Sequence, residues 1–305
     1  MSLMVRNWQE RDVDTLRALV HDPSLAAQFD KWQGEAGLEH KLGDTVLAKR
    51  GLQLAFVDGE PAGFGIPWLF LDPGSTWAMM RVGVIERFRR QGVGAALARA
   101  LVAFVNAESP ATVPEISASA WTPNDAASAL AAKMGATHER WFWMMERPRE
   151  SGAGVTWPAG VKVAPFDGSE AMLRDWVDAY NDSFSAHFRF HASDYDNGRR
   201  ITQVPGFRAD GLMLAYKDGA VAGFCRNELH ASRGEIGTLG VTKAARGIGL
   251  GRSLLRWGVG WLVEQQPHPI TLLVDGENEG ALALYRSEGF VVTRTREIWR
   301  VPPGR

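Results

Sequence analysis

The chain has 305 residues, 34 basic and 35 acidic side chains, a formal net charge of −1, 45% hydrophobic and 23% charged residues. That length and composition predict two ordinary domains with real apolar cores and exclude a disordered chain. The near-zero charge speaks against nucleic-acid or anionic-membrane binding, no apolar run approaches the roughly 20 residues of a membrane helix, and the single Cys225 excludes an intrachain disulfide or multi-cysteine zinc site.

The N-terminus has no signal-peptide core, so a cytoplasmic protein is expected. In the first half, strands are predicted near 3–7, 52–57, 62–70, 76–85, 113–119 and 138–146, and helices near 12–20, 38–49, 92–107 and 124–133. Pro148, Gly152, Gly154, Pro158 and Gly160 then cluster without hydrophobic periodicity, as a linker would. This places the boundary near residue 150, between domains 1–150 and 151–305.

In the second half, Val161 to Phe166 reads as a strand and Glu170 to Tyr180 as a helix, followed by an ambiguous stretch from Ser183 to Gly211 that holds a second helix between loops. Two apolar runs flank Asp218-Gly219, a hairpin signal because that turn needs positive φ. Glu235 to Val241 is a strand, Gly249 to Val263 an amphipathic helix, Ile270 to Val274 a strand, Glu279 to Ser287 a helix and Phe290 to Trp299 a last strand. Each half therefore reads β-α-α-β-β-β-α-β-α-β, an α/β fold with a mixed sheet and helices on its faces.

The halves repeat one another. Arg89-Arg90-Gln91-Gly92-Val93-Gly94 recurs as Arg246-Gly247-Ile248-Gly249-Leu250-Gly251, and Asp58-Gly59 recurs as Asp218-Gly219. Asn124 before Gly135 recurs as Asn278 before Gly289. Three landmarks in the same order describe a tandem duplication, not a solenoid. In both copies a strand runs into an Arg and a Gly-x-Gly turn that opens a helix. The first helical turn has unsatisfied N–H groups and the positive end of the macrodipole, and glycine lets a phosphate approach, so the pattern reads as a diphosphate cradle. The third glycine of the dinucleotide fingerprint is missing (Leu97 and Arg252 stand there), and neither turn has the Gly-Lys-Ser/Thr of a nucleotide-triphosphate loop.

With the glycine turn, the Asp-Gly hairpin before it and the Asn…Tyr…Gly-Phe segment after it, the chain resembles the GNAT superfamily of acyl-CoA-dependent N-acyltransferases, in its tandem two-domain form. The resemblance implies acetyl-CoA as co-substrate, with pantetheine pairing to the backbone of Leu239, Gly240 and Val241 and the diphosphate on Arg246, Gly247, Ile248, Gly249, Leu250, Gly251 and Arg252. Asn278 would touch the pantetheine arm and Tyr285, seven residues on, would reach the thiol as general acid. Members of the superfamily place a base six residues before the strand's last apolar position. Counting back from Val241 gives Glu235, with Glu228 as runner-up. The first half keeps the matching cradle positions Val82, Val84, Arg89, Arg90, Gly92, Gly94 and Asn124, but the same count from Val84 gives Ala78, and Ala131 stands where Tyr285 does. It is expected to be catalytically degenerate.

Trp141 and Trp143 alternate on a strand and are expected in a core or contact face. His187 and His191 lie at i, i+4 without a third ligand, so no metal is expected. The resemblance implies that the region between the first helices lines the acceptor pocket, which makes His187, His191, Asp194, Tyr195 and Asp196 candidate acceptor contacts. Cys225 reads as a small core residue, with no basic group placed to activate it. The resemblance implies N-acetylation of a small primary amine by direct attack in the second domain. A non-catalytic acyl-CoA sensor and a protein or peptide acetyltransferase are the alternatives, and the oligomeric state is not legible.

Overall fold

The computed structural model describes residues 1–29, 50–72, 75–109, 113–148, 154–203, 207–230, 233–265 and 269–304. The helix expected over 38–49 lies outside them. The chain forms two compact units, one of Met1–Phe142 with Thr295–Arg305 and one of Trp143–Arg294.

In the first unit, β1 (Leu3–Asn7) pairs antiparallel with β2 (Gln53–Val57), β2 with β3 (Glu60–Asp72) and β3 with β4 (Ser75–Val84). β4 runs parallel to β5 (Glu115–Thr122). Asp58 and Gly59 take φ of 48° and 85°, the doubly positive turn that matches strand twist. The helices are α1 (Val13–Val20), the short α2 (Pro23–Ala26), α3 (Val93–Glu108) and α4 (Asp125–Lys133). α3 turns Val93, Leu97, Leu101 and Val105 inward, a 3.6-residue stripe against the sheet.

The second unit repeats this with β7 (Val161–Pro165), β8 (Leu212–Lys217), β9 (Ala220–His230), β10 (Arg233–Val241) and β11 (Ile270–Asp275). Strands β7 to β10 are antiparallel neighbours, and β10–β11 is parallel. Its helices are α5 (Glu170–Phe184), α6 (Tyr195–Thr202), α7 (Leu250–Glu264) and α8 (Glu279–Ser287). α7 buries Leu250, Leu254, Leu255, Val259 and Leu262. A core of Ile236, Ile270, Leu272, Phe290 and Met145 forms around them.

The boundary differs from the contiguous division near residue 150. Strand β6 (Thr137–Arg147) passes from the first unit into the second at Trp143, and β12 (Val291–Val301) returns to the first at Thr295. Residues 295–301 pair antiparallel with β5, from Thr295–Thr122 to Val301–Ile116. Composition marks where the chain is rich in turn formers; it does not reveal which strand a later segment pairs with. A fragment ending at residue 150 therefore leaves the β5 edge unpaired and removes Val301 from the core around Met80 and Leu101. It is expected to be insoluble or to lack a cooperative melt, tested by size-exclusion chromatography and circular dichroism. Among the described residues, no helix is long and apolar enough to cross a membrane.

Candidate active site

Both parallel ladders end early. In the second unit the pairs run from Gly234–Ile270 to Ile236–Leu272 and stop, so the end of β10 that carries Leu239, Gly240 and Val241 is not paired to β11. In the first unit they stop at Met80–Ala118, before Val82 and Val84. Each wedge opens toward a glycine turn. Gly249 (φ 87°) and Gly92 (φ 85°) are left-handed N-caps of α7 and α3 and lack side-chain caps. The leading N–H groups of each helix are thus available to an anion. Gly247 has φ 81°; at the matching slot of the first unit Arg90 takes φ 64° and stays exposed, a conformation that costs a side-chain-bearing residue roughly 1–2 kcal/mol.

The arginines before the turns anchor backbone. Arg246 Nη2 donates to the Ser183 carbonyl (3.0 Å), and Arg89 donates to the carbonyls of Ser24 (2.9 Å) and Val84 (3.1 Å). Ile248 is exposed between Gly247 and Gly249, and Leu250 points into the core. Arg252 turns elsewhere: its amide donates to the Gly249 carbonyl (3.1 Å) and its guanidinium to Ser287 (3.0 Å) and to the buried Glu288. Asn278 and Asn124 have a local duty that the sequence reading missed. Each caps its helix, accepting from the amides of Ala281 (3.1 Å) and Ala127 (3.0 Å).

Tyr285 is half-buried against Phe290, ring centroids 6.2 Å apart. Burial, with a smaller contribution from Cys225, pushes its hydroxyl up to about 12. Cys225 is fully buried and its thiol is pushed well above the ordinary range by that burial, as an inert core residue should be.

Glu235 is 3% exposed and pairs across the ladder with Glu228. His230, two residues along β9 and so on the same face as Glu228, brings Nε2 within 3.2 Å of Glu235 Oε2 and 3.5 Å of Glu228 Oε2. Arg226 holds Glu228 at 2.7 Å, and Arg233 lies 3.6 Å from Glu235. The two carboxylates and the imidazole lie within 4.8 Å of one another, a spacing a cation could bridge. The two guanidiniums already supply the positive charge there, so the donor set reads as an ion-pair network. Sequence reasoning found both carboxylates and missed His230, Arg226 and Arg233; the alternation Arg226-x-Glu228-x-His230 was the available signal.

Burial lowers the His230 pKa, but the hydrogen bonds and charges of Glu228 and Glu235 outweigh it and hold the imidazole above the ordinary histidine value. A pKa raised on folding gives stability that is complete below about 6.5 and is lost as pH rises through the folded value. His230→Gln removes that contribution. In thermal melts from about pH 5.5 to about pH 9, the Tm gap between wild type and variant is expected to shrink as pH rises; a gap independent of pH would refute the coupling.

The ladder corrects the count in the first unit. β10 shifts register by one residue between Ile236 and Thr238, and β3–β4 runs Gly63–Val84 to Asp72–Ser75 without a shift. Aligned from Gly63–Val84 and Gly223–Val241, the slot of Glu235 belongs to Met79, not Ala78, and that of Glu228 to Trp68. Phe70 and Trp77, stacked at 4.6 Å, occupy the slots of His230 and Arg233. The charged face of one unit is apolar in the other.

Three of the expected acceptor contacts have partners on α5 or α6. Asp194 caps α6 through the Asn197 amide (2.6 Å), the Tyr195 hydroxyl donates to Asp178 (2.9 Å), and Asp196 pairs with Arg199. The His187 ring lies tilted against Phe184, centroids 4.5 Å apart, and neither it nor His191 joins the Glu228–His230–Glu235 group. Trp141 is 38% exposed, contrary to expectation, while Trp143 packs on the core of the second unit.

The profile of the acetyltransferase (GNAT) family matches residues 8–136 and 171–290. A mycothiol acetyltransferase of Thermomonospora curvata is 32% identical over 288 residues, covering 92% of each chain, and one of Catenulispora acidiphila is 32% identical, covering 94% of each. Among solved structures, a GCN5-related N-acetyltransferase from Sphaerobacter thermophilus is similar with a TM-score of 0.76 at 20% identity, covering 99% of this chain and 96% of that one. A tandem GNAT protein from the clavulanic acid biosynthesis pathway gives 0.75 at 16% identity, covering 100% and 99%.

Proposed function

The chain belongs to the acetyltransferase (GNAT) family, and from that premise we propose that its second unit transfers an acetyl group from acetyl-CoA to the primary amine of a small molecule by direct attack. The observation that carries this reading is the buried Glu235 in the paired stretch of β10, at the throat of the wedge that opens toward the glycine nest.

The substrate diphosphate binds the amides at Gly247–Gly251, and the pantetheine runs along the unpaired backbone of Leu239–Val241. Glu235, directly or through a water, accepts the proton of the incoming ammonium. The neutral amine then attacks the thioester carbon, the C–S bond breaks as the tetrahedral intermediate collapses, and the second amine proton passes from nitrogen to the departing thiolate or to water. Tyr285, with a hydroxyl pushed up to about 12, stays protonated at neutral pH and donates a hydrogen bond to the leaving sulfur. An ordinary thiol titrates near about 8.5, so full proton transfer from so weak an acid is uphill, and the phenol stabilises the thiolate chiefly as a donor. Holding amine and thioester together supplies a large share of the rate.

A small-molecule acceptor is favoured over a peptide by the relatives called mycothiol acetyltransferase. The first unit keeps the nest and lacks both proton-transfer groups, which supports a binding role there. Its Gln28 side chain also pairs with the Trp121 backbone at both ends, at 2.9 and 3.0 Å, and so closes that edge of β5. The test is thiol release from acetyl-CoA against a panel of small amines, amino-sugar conjugates and peptides, with wild type and Tyr285→Phe. Turnover with a small amine that falls in the variant is expected; no turnover with any acceptor, while CoA still binds, would favour the sensor.

A further inference from the structure

A cavity of about 430 Å³ lies wholly within the first unit, in the wedge between β4 and β5 and against the Gly92 nest. Its lining includes Arg89, Arg90, Gly92 and Asn124 together with apolar residues such as Met80, Trp299 and Val301. The tandem repeat allows a position-by-position comparison of what fills the same space in the second unit. Asn124 and Asn278 cap their helices with the same bond, so Ala131 stands where Tyr285 stands and Ala136 where Phe290 does. The parallel ladders end on Met80–Ala118 and Ile236–Leu272, which sets Ala118 against Leu272. From Gly92 and Gly249, Ala98 matches Leu255.

All four alanines line the cavity. Their counterparts Leu255, Leu272 and Phe290 are buried core residues of the second unit, and Tyr285 packs on that core. The first unit thus carries a chamber where its sister carries two aromatic rings and two leucines. A large apolar space is filled best by an apolar ligand group, because water there has few partners. The chamber lies beside the slot of the phenol, which is where the resemblance puts the acyl end of the thioester.

We infer that the first unit binds acyl-CoA thioesters with acyl chains several carbons longer than acetyl, and holds them without transferring them. The inference rests on the reading that the Gly92 nest takes the CoA diphosphate. Retention follows from Met79 and Trp68 at the slots of the two carboxylates and from Gln28 across the β5 edge.

Each methylene that enters an apolar site is worth about 0.8 kcal/mol, about fourfold in affinity, so several of them give a preference of at least about tenfold even with imperfect filling. The experiment is calorimetric titration of the full chain with CoA, acetyl-CoA and hexanoyl-CoA. The variants are Ala131→Tyr with Ala136→Phe, which installs residues the same fold already accommodates, and the milder Ala131→Leu. Hexanoyl-CoA is expected to bind one site at least about tenfold more tightly than acetyl-CoA and to be recovered intact with an amine present. Both variants should lose that preference, the double one fully, while the second site keeps its acetyl-CoA affinity. Equal affinity for the two thioesters, or a preference that survives in both variants, would overturn the inference and leave the nest reading standing. A single binding site for every thioester, unaffected by the variants, would overturn both.

Discussion

Glu235→Gln is expected to lower kcat by about 10²–10⁴-fold while the Kd for acetyl-CoA stays within about twofold of wild type. The substitution keeps the shape of the side chain and an oxygen for His230 and Arg233, so the ion-pair face around Glu228 is preserved in outline. What it removes is the ability to accept a proton. An ammonium cannot attack a thioester, so without an acceptor only the small fraction of amine already neutral in solution reacts. Two readouts separate this role from a structural one. The wild type should turn over at pH values where the free amine is almost wholly protonated, whereas the variant's rate should follow the fraction of amine already neutral in solution. Glu228→Gln, whose carboxylate is held by Arg226 at 2.7 Å and is 27% exposed, should cost much less. If Glu235→Gln kept more than about a tenth of wild-type kcat, the base would have to be sought elsewhere on the same face.

Much of this was legible in the residue order because it depends on local geometry. Asp58-Gly59 and Asp218-Gly219 need positive φ and have it, and the glycines at 92 and 249 cap their helices in the left-handed region. Helix α8 follows from a pattern complete within about ten residues. The parts that were not legible depend on partners far along the chain. Residues 295–299 read correctly as a strand, but nothing in them says that β5 is their neighbour. The one-residue shift after Ile236 moves the first-unit counterpart of Glu235 from Ala78 to Met79, and a count along one strand has no access to a shift defined by two. Asp194 reads as a ligand contact in the sequence, yet Asp before a helix is also a capping signal, and its side chain caps α6 through the Asn197 amide.

The repeat also predicts which glycines tolerate a methyl group. A Cβ on Gly223 would meet the Gly240 carbonyl oxygen at 2.7 Å and Val241 Cα at 3.3 Å, both backbone atoms of the strand that carries the proposed pantetheine-pairing groups. Gly63 repeats the contact against the Gly83 carbonyl in the first unit. Backbone in the middle of a ladder cannot rotate aside as a side chain can, so the strands must separate. Gly223→Ala is expected to lower the stability of the second unit by about 1–3 kcal/mol, the usual cost of overpacking, and to weaken acetyl-CoA binding as Leu239–Val241 move. Gly260 supplies the contrast. It lies within α7 with nothing within 4 Å of where a Cβ would stand, so Gly260→Ala should gain roughly 0.5–1 kcal/mol from helix propensity and leave binding alone. Urea melts of the two variants should therefore shift in opposite directions. A neutral Gly223→Ala would mean that the β9–β10 ladder has slack at Gly240, and the close approach of these strands would then not be what fixes the backbone on which the cofactor arm is proposed to lie.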